Sequence, residues 1–101
     1  MTCGFPTLSQ SKKIFNEMLS HQPDVIEFGL PFSDPMADGP IIQEANKLAL
    51  SSNLSTQQSL NLIKELSKSK NNTSFVIMCY LNTVRKFGVD KFIKSIKNIV
   101  D

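Results

Sequence analysis

Apolar residues follow two rhythms along this chain. Val25-Ile26-Glu27-Phe28-Gly29 and Phe75-Val76-Ile77-Met78-Cys79-Tyr80 are short, dense, β-branched or aromatic runs and read as central strands. The second is apolar throughout, which predicts cover on both faces. Between and beyond the strands, apolar or small residues recur at helical spacing. The first set is Leu8, Ser11, Phe15, Met18 and Leu19; the second is Ile41 or Ile42 with Ala45, Leu48 and Ala49. Then come Ser59, Leu62, Ile63 and Leu66, and last Phe92, Ile93, Ile96, Ile99 and Val100. Thr7 with Gln10, and Ser55 with Gln58, have the spacing of capping boxes at helix starts. Residues 1–6 read as a strand end running into a turn at Gly4 and Pro6. Residues 82–88 read as a loop, and Asp90 as the start of the last helix.

The order is therefore strand end, helix, strand, long loop, two helices, strand, loop, helix. Strands alternating with helices imply an α/β fold with parallel pairing through right-handed crossovers. Two full strands and one strand end leave both faces and both edges of a parallel sheet to be covered. Two architectures remain: a segment of a larger barrel, or a small open α/β domain. Met1 falling within a strand favours the first.

Composition narrows the function classes. Of 101 residues, 41% are hydrophobic and 20% charged, which excludes disorder and collagen-like repeats. A net charge of +2 is too small to point to nucleic acid. Lys91, Lys94 and Lys97 fall on one helix side, read as solvated. No apolar run reaches a membrane span and no signal peptide is visible, so a cytoplasmic protein is expected, with Cys3 and Cys79 reduced. His21, Glu27, Asp34 and Asp38 lack metal-ligand spacing, and no metal site is expected.

The loop over residues 30–40 holds three prolines, one glycine and two aspartates. It is longer than the usual two to six residues of a strand-to-helix connection, and such ordered loops tend to carry function. Its prolines stiffen it. Glu27 near the strand end and Asp38 near the loop end are placed where parallel α/β enzymes present catalytic carboxylates. Each has a plainer reading: Glu27 as an interior acid paired with a cation, and Asp38 as the cap of the helix that Pro40 opens. For general acid/base work Glu27 needs apolar surroundings, which Ile26 and Phe28 supply in the sequence.

Glu27-Phe28-Gly29-Leu30-Pro31-Phe32-Ser33-Asp34-Pro35-Met36-Ala37-Asp38-Gly39-Pro40, continued by Ile41-Ile42-Gln43-Glu44-Ala45-Asn46, closely resembles the second-strand signature of the tryptophan synthase α-subunit family. Gly4-Phe5-Pro6-Thr7 is similar to that family's turn after its first strand. Val76-Ile77-Met78-Cys79-Tyr80-Leu81-Asn82 and Gly88-Val89-Asp90-Lys91-Phe92 are similar to its third strand and the segment following it. Asn82-Thr83 departs from the family's usual Asn-Pro. The resemblance implies that residues 1–101 form the N-terminal part of a (β/α)8 TIM barrel of ~250 residues, from the end of strand 1 to strand 3 with their helices.

The same resemblance implies a lyase of tryptophan biosynthesis that cleaves indole-3-glycerol phosphate to indole and glyceraldehyde 3-phosphate. Glu27 is then the general acid/base, and Asp38 the anion that accepts the indole N–H. Tyr80 borders the indole pocket or is only structural. Asn82 fastens the loop or is only structural. Pro31 and Asp34 face a β subunit in an α2β2 heterotetramer. The family carries no cofactor of its own; pyridoxal phosphate belongs to the β partner. The phosphate-holding loops after strands 7 and 8 have no counterpart here, so the chain alone is expected to be inactive. Two further functions are compatible with these residues: a free-standing indole-3-glycerol-phosphate lyase, and a non-catalytic remnant that only binds or activates a β subunit.

Overall fold

In the computed structural model, which describes residues 1–101, β1 (Val25–Gly29) and β2 (Ser74–Met78) pair in parallel, with Glu27 opposite Val76 and Gly29 opposite Met78. The N-terminal residues lie on the other edge of β1. Thr2 bridges Gly29 in parallel, and the Cys3 amide donates to the Gly29 carbonyl at 2.8 Å. β1 is thus central, as its density of apolar residues predicts. Asp101 docks on the outer edge of β2: its amide donates to the Phe75 carbonyl at 2.9 Å, and its carboxylate accepts from the Phe75 amide at 2.8 Å and from Lys70.

Side chains alternate across a strand, and the two faces differ sharply. Ile26, Phe28 and Phe75 are buried on one face. Phe28 lies between Phe15 of α1 (Leu8–Ser20) and Phe75, at centroid distances of 4.6 and 4.8 Å. Leu19 and, from α3 (Thr56–Leu66), Leu60, Leu62, Ile63 and Leu66 belong to the same core, with Cys3, Leu30 and Phe92. Val25, Glu27, Val76 and Met78 occupy the other face, and all four are exposed. The expectation that the second strand is covered on both sides fails: the core residues of α1, α3 and the C-terminal helices gather with Phe75, while Val76 and Met78 on the other face are exposed. That strand is also shorter than its apolar run, ending at Met78.

The helical boundaries follow the caps. Ser55 and Gln58 form the full reciprocal box. Thr7 accepts from the Gln10 amide at 3.2 Å, but its hydroxyl donates to Gln10 Oε1, so only half of that box forms. α2 (Pro40–Ser51) buries Ala45, Asn46 and Ala49, while Ile41, Ile42 and Leu48 are exposed, against the expected stripe. Residues 82–88, expected as a loop, form α4 (Leu81–Phe87), with Val84 and Phe87 packed on the core. The polar Asn82-Thr83 start hides this short helix from periodicity. α5 (Val89–Ile96) follows directly from Gly88, whose φ of 99° suits glycine. It buries Phe92, but Ile93 is 54% exposed, contrary to expectation. No helix is long and apolar enough to cross a membrane.

Gly4 makes the first turn possible. Its φ is +78°, and a Cβ there would sit 2.3 Å from Leu54 Cδ2. Its amide donates to Ser11 Oγ at 3.0 Å, tying the turn to α1.

Candidate active site

The C-terminal ends of the strands open into a cavity of about 350 Å³. Gly29 and Leu30 from β1 and its exit, Met78 from the end of β2, Tyr80 from beyond it, and Ile42 from α2 form much of its wall. Asp38 is the one charged side chain lining it. Seven of the eleven lining residues are hydrophobic, so the space suits an apolar group with one polar handle.

Asp38 is held by its surroundings. Tyr80 Oη donates to Asp38 Oδ2 at 3.0 Å and accepts from the Ala37 amide at 3.0 Å. The Tyr80 ring stacks on Phe32, 4.8 Å between centroids and 18° between planes. Asp38 is not the helix cap expected from its position. Gly39 is the N-cap, extended at φ −74° and ψ 172°, with no side-chain capping bond. The Asp38 side chain is therefore free of α2 and committed to the cavity rim.

Glu27 lies on the open face of the sheet, the face that Gly29 and Met78 continue into the cavity. It precedes Gly29 by two residues, about 6.6 Å along the strand. Glu27, in the middle of β1, is not among the residues that line the cavity, whereas Asp38 is. Ile26 and Phe28 do not surround Glu27, because alternation sends them to the opposite, buried face. Its backbone carbonyl accepts from the N-terminal ammonium at 2.8 Å.

The remaining expected residues divide. Tyr80 is at the rim. Pro31 is half-buried and Asp34 exposed on the outer part of the loop. Asn82 is exposed and makes no side-chain bond to the loop, so it is not the fastener. That work falls to Asn46 and Gln43 of α2. Asn46, only 5% exposed, accepts from the Phe32 amide at 2.8 Å and donates to the Ile42 carbonyl at 2.8 Å. Gln43 donates to the Asp38 carbonyl at 2.9 Å. The signal for Asn46 was present: a polar residue on the inward stripe of α2, between Ala45 and Ala49, must find partners.

Burial governs the titrating groups nearby. It pushes the Cys3 thiol up to about 12 and raises Cys79 as well. Tyr80 is raised above the ordinary tyrosine value, first by desolvation and then by the Asp38 carboxylate, against the opposing bond from the Ala37 amide. These thiols and the phenol are neutral at pH 7.

Residues 1–100 match the sequence model of the tryptophan synthase alpha chain family. The tryptophan synthase alpha chain of Clostridium acetobutylicum is 42% identical over 97 residues, covering 96% of this chain and 36% of that protein. The crystal structure of tryptophan synthase subunit alpha from Legionella pneumophila str. Paris superposes with a TM-score of 0.91 at 32% identity, over 100% of this chain and 39% of that one. An aminoacrylate-bound tryptophan synthase from M. tuberculosis gives a TM-score of 0.88 at 30% identity, over 96% of this chain and 39% of the other. The chain spans little more than a third of the length of these relatives. Parallel β1 and β2, a core on one face of the sheet and a cavity at the strand ends are what a partial TIM barrel contains, and the chain belongs to the tryptophan synthase alpha chain family.

Proposed function

We propose that this chain forms the N-terminal part of a barrel that cleaves indole-3-glycerol phosphate to indole and glyceraldehyde 3-phosphate, and that Glu27 and Asp38 are its acid/base pair. The observation that supports the reading is Asp38 on the wall of an apolar cavity at the strand ends, with Glu27 on the strand face that Gly29 continues into that cavity.

The reaction is a retro-aldol cleavage. A proton added at C3 of the indole ring converts it to the indolenine form. Loss of the proton from the neighbouring side-chain hydroxyl lets the O–H electrons form the aldehyde carbonyl, while the C3–C bond electrons return to the ring. Glu27 moves these protons, a role for a carboxyl group close to the reacting carbons. Asp38 accepts the ring N–H and stabilises the positive charge that protonation at C3 creates. The bonds from Tyr80 and Asn46 to the loop favour a fixed geometry over a flexible one, which is what such positioning requires.

The phosphate group calls for residues outside this chain, and the chain carries no cofactor in this reading. Pro31 and Asp34, on the loop, face a β subunit that holds pyridoxal phosphate and consumes the indole. The absence of a membrane-crossing helix fits a cytoplasmic setting. The test is indole release from indole-3-glycerol phosphate by the full-length protein, with and without added β subunit. Release that the β subunit stimulates supports the full proposal. Release that is indifferent to it favours a free-standing lyase, and no release in either case favours the non-catalytic reading.

A further inference from the structure

We propose that Tyr80 is a positioning residue for Asp38, its phenol bridging the Asp38 carboxylate and the Ala37 amide so that the carboxylate is held at the cavity rim. This deepens the reading above and rests on Asp38 being functional.

Four observations support it. The phenol oxygen uses both of its hydrogen-bonding capacities on adjacent residues of one loop. It donates to Asp38 Oδ2 and accepts from the Ala37 amide, each at 3.0 Å. The ring is itself fixed by its stack on Phe32, at the other end of the loop. Phe32 is in turn fixed by Asn46, through the 2.8 Å bond to its amide. Finally, Tyr80 is the N-cap of α4 and lies two residues past β2, so it is anchored to the sheet rather than to the loop. A sheet-anchored ring thus grips both ends of the loop, and Asp38 Oδ1 is left for a ligand. A carboxylate already held by a fixed partner loses less freedom when a substrate arrives. Among the residues lining the cavity, Asp38 is the only charged group facing the phenol, and the Cys79 thiol is the only other titratable one.

The chain offers a clean probe, because Tyr80 is its single tyrosine and it has no tryptophan. Tyrosinate absorbance in a spectrophotometric pH titration therefore reports this residue alone. The wild-type midpoint is expected above that of free tyrosine, and Asp38→Asn is expected to lower it, since a carboxylate beside the phenol disfavours the phenolate. An unchanged midpoint in Asp38→Asn would overturn the bridge. In the full-length protein, Tyr80→Phe keeps the ring and its stack but removes the bridge. It should lower kcat roughly tenfold or more while changing KM by less than about threefold. Wild-type kcat in Tyr80→Phe, with Asp38→Asn inactive, would overturn the positioning role and leave the proposed reaction standing. Full activity in Asp38→Asn would instead overturn the reading of Asp38 itself.

Discussion

Replacing Asn46 by alanine should loosen the loop that carries Asp38 before it unfolds the rest of the chain. Asn46 makes two bonds of 2.8 Å while only 5% exposed. Its removal leaves the Phe32 amide without its acceptor, a loss of about 1–3 kcal/mol for a buried donor. Phe32 is only half-buried, which favours the lower part of that range. The Ile42 carbonyl loses a second donor but keeps its place in the α2 ladder. Alanine is a better helix former than asparagine, by up to about 0.7 kcal/mol, and offsets part of the cost. The net expectation is a loss of about 0.5–1.5 kcal/mol, concentrated in residues 30–39. Amide hydrogen exchange of Phe32 and Ala37 measures it locally, and urea denaturation measures the global share. Protection at Phe32 that survives the substitution would refute the tether, whatever happens to overall stability.

Other consequences follow from the same packing. Gly4→Ala forces a side chain into a +78° backbone, at about 1–2 kcal/mol, and against Leu54 Cδ2, at about 1–3 kcal/mol more. A urea midpoint equal to wild type would show that the turn relaxes freely. Lys12 bonds Glu65 at 2.6 Å, joining α1 to α3, and that bond lowers the Glu65 pKa below its ordinary 4.5. A depressed folded pKa means the contribution is present above the unfolded value and fades as pH falls through the folded one. Glu65→Gln should therefore be slightly less stable than wild type at pH 7 and converge with it in acid, and a difference that persists in acid would contradict the pairing. Thiol labelling at pH 8 should modify the half-buried Cys79 well before Cys3, which is 0% exposed and raised to about 12. Equal rates would mean that the core opens as a unit.

How much of this was legible beforehand depended on the scale of each signal. The span of β1 was readable to the residue, because a dense β-branched run bounded by Pro23-Asp24 and Leu30-Pro31 has few alternatives. The Ser55–Gln58 box marked its helix start for the same local reason. α4 was not readable, since its seven residues are held by Val84 and Phe87 meeting a core assembled from distant segments. The places of Glu27 on a central strand and of Asp38 on the loop after it could be argued from the strand-loop pattern. Their surroundings could not. Alternation removed the expected apolar neighbours from Glu27, and a ring 42 positions away, not the adjacent helix, took the Asp38 side chain. Asn46 shows the intermediate case, a polar residue on a buried stripe whose need for partners is visible in the sequence while their identity is not.

The central claim, that Glu27 moves protons at the cleaved carbon, is tested most directly by Glu27→Gln in the full-length protein, a substitution of matching shape that cannot ionise. Indole-3-glycerol phosphate should still bind the variant with near wild-type affinity, while indole release falls by about two to four orders of magnitude, the range for losing a general acid/base. Wild-type turnover in Glu27→Gln would show that this carboxylate is structural and that the protons travel by another route.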